Sequence, residues 1–345
     1  MGDTSSNCKV AAVQAAPVFM DLSATVEKTC GLIKSAAEQG CDLVAFPETW
    51  IPGYPWFIWL NAPALNMKYF GQYHENSLVP DSEAYRAIAR CARDHNIYVS
   101  IGASERDHGS LYIAQFLFGR DGETLSARRK LKPTHVERTV YGDGDGSDLK
   151  VAETDIGIVG QLACWEHLQP LSRYAMFSLH EQIHVAAWPS FSMYPDAYSL
   201  GPVLNNAASQ MYAAEGQCFV VAPCGVISQE MIDLLVENET HAALIQKGGG
   251  YARIFGPDGA PLGETLDPEA EGLVVAEIDL GAITIAKCFA DPVGHYSRPD
   301  ATALLWNRQA QTPARAMAST PTAATPPPEG SEDIHAEDGV EAAAS

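Results

Sequence analysis

Short apolar runs recur along this chain, and most are followed by a loop or by a longer stretch with helical spacing. They are Val10–Val13, Asp42–Phe46, Ile97–Ile101, Gly157–Ala163, His184–Trp188, Cys218–Ala222 and Leu273–Ile278. Most show no polar–apolar alternation, so both of their faces need burial, as in a sheet covered on both sides. Between them lie helical patterns. Ser23–Gln39 carries Val26, Cys30, Ile33 and Ala37 on one stripe and ends at Gly40; Ser82–Asp94, Pro170–His180 and Val203–Glu215 follow. Two hairpin signals break the alternation. Gly119-Arg120-Asp121-Gly122 joins Leu111–Phe118 to Glu123–Lys130, and Gly256-Pro257-Asp258-Gly259 joins Tyr251–Phe255 to the residues before Glu264. The expectation is an α/β domain of mixed sheets covered by helices over residues 1–311. From Thr312 the chain turns to Ala, Pro, Thr and acid, which cannot bury a core, so 312–345 is expected to be a disordered acidic tail.

Charge excludes several functions. Against 22 Lys and Arg stand 43 Asp and Glu, a net −21, so nucleic acid and anionic membranes would be repelled. No apolar run reaches the roughly 18 residues of a membrane span. The N-terminus has neither the basic nor the apolar part of a secretory signal. A cytoplasmic setting is expected, which leaves the sequon Asn238-Glu239-Thr240 idle. Met1-Gly2 with Ser6 fits a myristoylation pattern, but no polybasic stretch supports it. The eight cysteines are scattered without a CxxC pair, and read as reduced thiols.

Three loud motifs weaken on inspection. His180-Glu181-Gln182-Ile183-His184 matches the HExxH zinc pattern, with Glu215 as a distant third ligand. Yet His184 opens a β-like run, so the two rings would lose a common face; no metal is expected. Tyr141–Asp148 resembles a calcium loop, but its register fails: counted from Asp143, the Gly position holds Asp148. Gly248-Gly249-Gly250 lacks the Lys-Ser/Thr of a phosphate loop.

A quieter set is more informative. Glu48 follows the run ending at Phe46, Lys130 ends Glu123–Lys130, and Cys164 follows Gly157–Ala163. Sites in open α/β sheets lie beyond such strand ends. A Glu and a Lys after apolar runs need partners, and together they would set up a cysteine nucleophile. Lys132 is two residues on and, if the strand continues, faces the same way. Spacing does not separate the two lysines.

At these residues the chain resembles the nitrilase family of carbon–nitrogen hydrolases. The matching stretches are AFPETWIPGYPWFIWL, RRKLKPTHVERTVYGDGDGSDL, GQLACWEHLQPLSRYAMFSLHEQIHVAAWPSFS, NNAASQMYAAEGQCFVVAPC and DPVGHYSRPD, in order from Val10 to about Asp300. The resemblance implies an α-β-β-α sandwich of two mixed β-sheets that dimerises into a longer sandwich and assembles into spirals. It implies Glu48, Lys130 and Cys164 as a catalytic triad, favouring Lys130 over Lys132, with Glu137 as a second acid. It implies a nitrilase-type catalytic domain over 1–311 that uses no metal and no organic cofactor.

Such a set hydrolyses a nitrile to acid and ammonia through a thioimidate and then a thioester. PGYPWFIWL, AAWPSFS and NNAASQ look most like the arylacetonitrilases. The expected pocket wall is Tyr54, His135, Trp165, Trp188, Pro189 and Phe191, beside Trp56, Phe57 and Trp59; core or subunit packing is the alternative use for these side chains. The rival functions on the same triad are an amidase or carbamoylase and a cyanide-hydrating enzyme.

Overall fold

A computed structural model describes residues 7–314. Residues through Ala310 belong to one compact unit, and Gln311 begins a second. The myristoylation pattern at Met1 to Ser6, and the expected tail from residue 315 on, lie outside the described residues.

The strands in chain order are β1 (Asn7–Ala15), β2 (Leu43–Ala45), β3 (Tyr98–Asp107), β4 (Ser110–Phe118), β5 (Thr124–Arg129), β6 (Tyr141–Gly142), β7 (Val151–Thr154), β8 (Gly157–Ala163), β9 (Ile183–Ala187), β10 (Phe219–Ala222), β11 (Cys224–Gly225), β12 (Arg253–Phe255), β13 (Pro261–Leu262) and β14 (Gly272–Asp279). The helices are α1 (Leu22–Glu38), α2 (Phe57–Leu60), α3 (Pro63–Glu75), α4 (Glu83–Asp94), α5 (Pro170–Phe177), α6 (Pro202–Gly216), α7 (Gln229–Leu235), α8 (Glu239–Leu244) and α9 (Gly281–Ala290).

Two mixed sheets result, as the resemblance implies. The larger runs β11-β1-β2-β3-β4-β5, with β14 also on β1 and β6 on β4; the smaller runs β13-β12-β10-β9-β8-β7. β1 pairs antiparallel with β14 along its length, from Asn7 opposite Asp279 to Gln14 opposite Gly272. Period-two alternation sorts β1 between two cores. Val10 and Ala12 join Leu162, Val185 and Val221 between the sheets, with Met176 and Tyr212 of α5 and α6 in the same cluster. Ala11 and Val13 face Ile33 of α1 and Ile88 of α4. The order is therefore helix, sheet, sheet, helix. Polar links also tie the sheets: Gln115 Nε2 donates to the Leu162 carbonyl (3.1 Å) and Gln161 Nε2 to Ser100 Oγ (2.8 Å).

One boundary needs correction. The helix opened by Pro170 stops at Phe177 instead of running on to His180, which sits at φ 59° and breaks the helical path.

Candidate active site

Glu48 lies just past β2, on a backbone pressed against β3. A Cβ on Gly102 would sit 2.2 Å from the Pro47 carbonyl oxygen, so only glycine lets β3 pass beneath the Glu48 loop. The Glu48 amide faces the Trp188 carbonyl at 3.3 Å, which ties this loop to the end of β9.

Lys130 follows β5 and extends its ladder by donating its amide to Ile113 (2.7 Å). Its ammonium is fully buried and donates to Glu48 Oε1 (2.8 Å) and Glu137 Oε2 (2.9 Å). Glu137 lies on a short 3₁₀ turn, His135–Thr139. Its Oε2 also accepts the Thr134 amide (2.6 Å), and its Oε1 accepts the Tyr54 hydroxyl (2.8 Å). Glu137 is thus satisfied on both oxygens, whereas Glu48 Oε2 is buried without a partner. Lys132 is exposed and paired with Asp143 at 2.6 Å, so the structure separates the two lysines that spacing could not.

Cys164 follows β8 at φ 50°, a left-handed conformation that costs a non-glycine residue of order 1–2 kcal/mol. Hydrogen bonds on both sides hold it. Its carbonyl accepts from His167 Nδ1 (2.7 Å), and the Ala163 amide before it donates to Glu166 Oε2 (2.9 Å). Glu166 Oε1 takes the Leu131 amide (2.9 Å) and Arg128 Nη2 (2.7 Å). One carboxylate therefore pins the segment after Lys130 to the segment before Cys164. Sequence reasoning did not single out Glu166 or Arg128. The available signal was period two along β5, which puts Arg128 on the same side as Lys130.

The electrostatics follow from burial and these neighbours. Burial raises the Glu48 carboxyl to about 7, with the Lys130 ammonium pulling it down and Glu137 pushing it up. Burial opposes the Lys130 charge, but Glu137 and Glu48 prevail and hold it well above the usual lysine value. Burial, then Glu48, push the Cys164 thiol well above its ordinary range, against Lys130 and the Trp165 backbone N–H. These shifts favour the protonated thiol at Cys164 beside the Glu48 carboxyl.

Donor oxygens of Glu48 and Glu137 and the Cys164 sulfur lie within 4.8 Å of one another, a set that could ligate a metal. The Lys130 ammonium already bonds one oxygen of each carboxylate, so a cation there would have to displace it.

A pocket of about 470 Å³ opens over this cluster. Its wall includes Tyr54, Trp165, Trp188, Pro189 and Phe191 of the expected set, together with Trp56 and Trp59. His135 is not among the lining residues. It stacks on Trp59 at 5.4 Å between ring centres and 11° between planes, outside the wall. Phe57 packs against Tyr69 and Tyr73 as core.

The loud motifs have other uses. His180 is exposed on a turn while His184 is buried on β9, so they share no metal face. Glu215 pairs with Arg173 (2.6 Å). Around Asp143–Asp148, the Asp148 carboxylate accepts the Arg129 amide (2.9 Å) and the Gly144 amide donates to the Lys130 carbonyl (2.8 Å), so this loop buttresses the lysine.

Comparison with known proteins places the chain in a family. The model of the carbon–nitrogen hydrolase family matches residues 9–287. A nitrilase of Pseudomonas syringae pv. syringae is 59% identical over 300 residues, 87% of this chain and 89% of that one. An aliphatic nitrilase of Rhodococcus rhodochrous is 50% identical over 93% of this chain and 88% of its own length. An arylacetone-specific nitrilase of Alcaligenes faecalis is 51% identical, covering 86% and 84%. Among solved structures, a carbon–nitrogen hydrolase from Helicobacter pylori G27 superposes with a TM-score of 0.67 at 18% identity, covering 85% of this chain and 96% of that chain, which shows the shared fold.

Proposed function

The chain belongs to the carbon–nitrogen hydrolase family, among its nitrilases, and from that premise we propose that it hydrolyses arylacetonitriles to carboxylic acid and ammonia through Cys164. The observation that carries the mechanism is the free, buried Oε2 of Glu48, on a carboxyl raised to about 7, beside the sulfur. As sulfur attacks the nitrile carbon, Glu48 takes the thiol proton and passes it to the nitrogen, giving a thioimidate. Glu48 then takes a proton from a water that adds to the same carbon. Glu48 returns that proton to the nitrogen, the new hydroxyl gives up its own proton to it as the carbonyl forms, and the nitrogen leaves as ammonia with a thioester remaining. A second water, activated in the same way, releases the acid and restores the thiol. Lys130 stabilises negative charge on the tetrahedral species; one such donor contributes about 3 kcal/mol. Glu137 orients Lys130.

The aryl preference rests on the wall. Trp56, Trp59, Trp165, Trp188 and Phe191 offer ring faces and edges to an aromatic substrate. Relatives with aliphatic and with arylacetone specificity are about equally similar to the chain, so the wall and not the identity supports this choice. The reading includes self-association into a dimer and onward into spirals. The exposed Leu171, Val203 and Met211 on the neighbouring helices α5 and α6 support a face for a second copy.

The test is ammonia and acid release from phenylacetonitrile against an aliphatic nitrile and phenylacetamide, with C164A alongside. Turnover fastest on phenylacetonitrile and none by C164A is expected. Faster turnover of the amide would replace the reading with an amidase, and equal turnover by C164A would remove Cys164 as nucleophile.

A further inference from the structure

From the Cys164 carbonyl runs a buried chain that the mechanism above does not use. His167 Nδ1 bonds the Cys164 carbonyl (2.7 Å), His167 Nε2 meets His184 Nε2 (2.9 Å), and His184 Nδ1 meets Glu181 Oε2 (2.8 Å). Tyr212 donates its hydroxyl to the other Glu181 oxygen and stacks on the His184 ring (3.9 Å between centres). All four side chains are buried.

The proton positions follow from the partners. A carbonyl only accepts, so His167 carries its proton on Nδ1. Burial, and then the charge of His184, hold His167 well below the usual histidine value, so it stays neutral and its Nε2 accepts. His184 must then donate from Nε2. Glu181 closes the far end, with one oxygen on His184 Nδ1 and the other accepting the Tyr212 hydroxyl. The chain is directional, and it ends on the carbonyl of the peptide whose N–H, that of Trp165, favours the Cys164 thiolate.

We propose that Glu181, His184 and His167 form a positioning relay that fixes the left-handed turn at Cys164 and polarises the Cys164–Trp165 peptide, so that its N–H is a stronger donor to the sulfur. Hydrogen bonds in series strengthen one another in a low-dielectric interior. None of the three side chains touches the substrate pocket, so they act through the nucleophile's own backbone.

The proposal rests on Cys164 being the nucleophile, and the experiment separates the two claims. The rate of iodoacetamide alkylation at Cys164 is followed against pH, with kcat and KM, in the full-length wild type, H167F, H167N and E181Q. The charged and titratable groups facing the sulfur (Glu48, Lys130, Glu137 and Tyr54) stay unchanged in all of them, as do Arg128, Arg173 and Tyr212 around the relay. Alkylation of the wild type must abolish turnover; alkylation that spares turnover would overturn the nucleophile reading and the relay with it. H167F should lose at least tenfold in kcat and in alkylation rate with KM nearly unchanged. H167N, whose amide can donate from the Nδ1 position but falls short of His184, should recover only part of both, and full recovery would overturn the relay. Wild-type rates in H167F would overturn the relay. If H167F fails to fold, E181Q decides: its amide can still meet Tyr212 and His184 but has no ionisable group. A slower alkylation supports the relay, and an unchanged rate overturns it.

Discussion

Arg128 and Lys130 stand two residues apart beside the same sheet, both buried and both ion-paired, yet they serve opposite ends. Around Arg128 every group is matched. Nε donates to the Asp148 carbonyl (3.0 Å), Nη1 to Gln115 (2.6 Å) and Nη2 to Glu166, whose other lone pairs take two backbone amides. Burial works against the Glu166 charge, but Arg128 and the amides outweigh it and hold the carboxyl below its usual value. Around Lys130 the matching stops one atom short. Glu48 keeps a buried oxygen without a partner, and its carboxyl is raised to about 7. A saturated buried pair is structure, whereas an unsaturated one is reactive.

Five experiments bear on this contrast. E48Q should lower kcat by about 10³-fold, within the range of general-base removal, with a melting temperature close to wild type; a fall in stability as large as the fall in rate would erase the distinction. E166A should do the reverse, costing about 3–5 kcal/mol by stranding the Arg128 charge, measured by denaturant unfolding. In the wild type, kcat/KM should fall by about tenfold per pH unit as acid protonates Glu48 below pH 7, and stay level above it until another group titrates; a profile flat down to pH 5 would deny Glu48 the role of base. Ending the chain at Thr312 should shift the melting temperature by only about 1 °C, because the residues through Ala310 form one compact unit. W306A is the sharper control: its indole donates to the Gly146 carbonyl (2.9 Å) in the loop that buttresses Lys130, and its loss should cost about 1 kcal/mol.

Most strands were legible because their apolar runs reflect burial on both faces, and β8 matches its expected bounds. Helix α1 was legible by its stripe and stop. Helix α3 was not, since Asn66 and Tyr73 are its buried residues and no apolar face marks it. The helix α9 is apolar on nearly all sides, so its period carries no signal. Within the site, strand ends located Glu48, Lys130 and Cys164, but choosing Lys130 over Lys132 needed the resemblance, because β5 stops at Arg129 and the chain then turns. His135 was misplaced for a related reason: a neighbour in sequence to Glu137, it points to Trp59 from φ 46°. Glu166 stayed hidden because its partners are backbone amides, which leave no mark on the pattern of side chains.

The pairing of β1 with β14 has a consequence for how the chain is made. Gln14 leaves the ribosome 258 residues ahead of Gly272, its partner in the register. At roughly 5–20 residues per second the first strand waits about 13–52 s for that neighbour. Throughout that interval one edge of an apolar strand has open amides and carbonyls. That open edge is a place where another chain could pair during synthesis, and the sheet that seats Glu48 closes only after Gly272–Asp279 has been made.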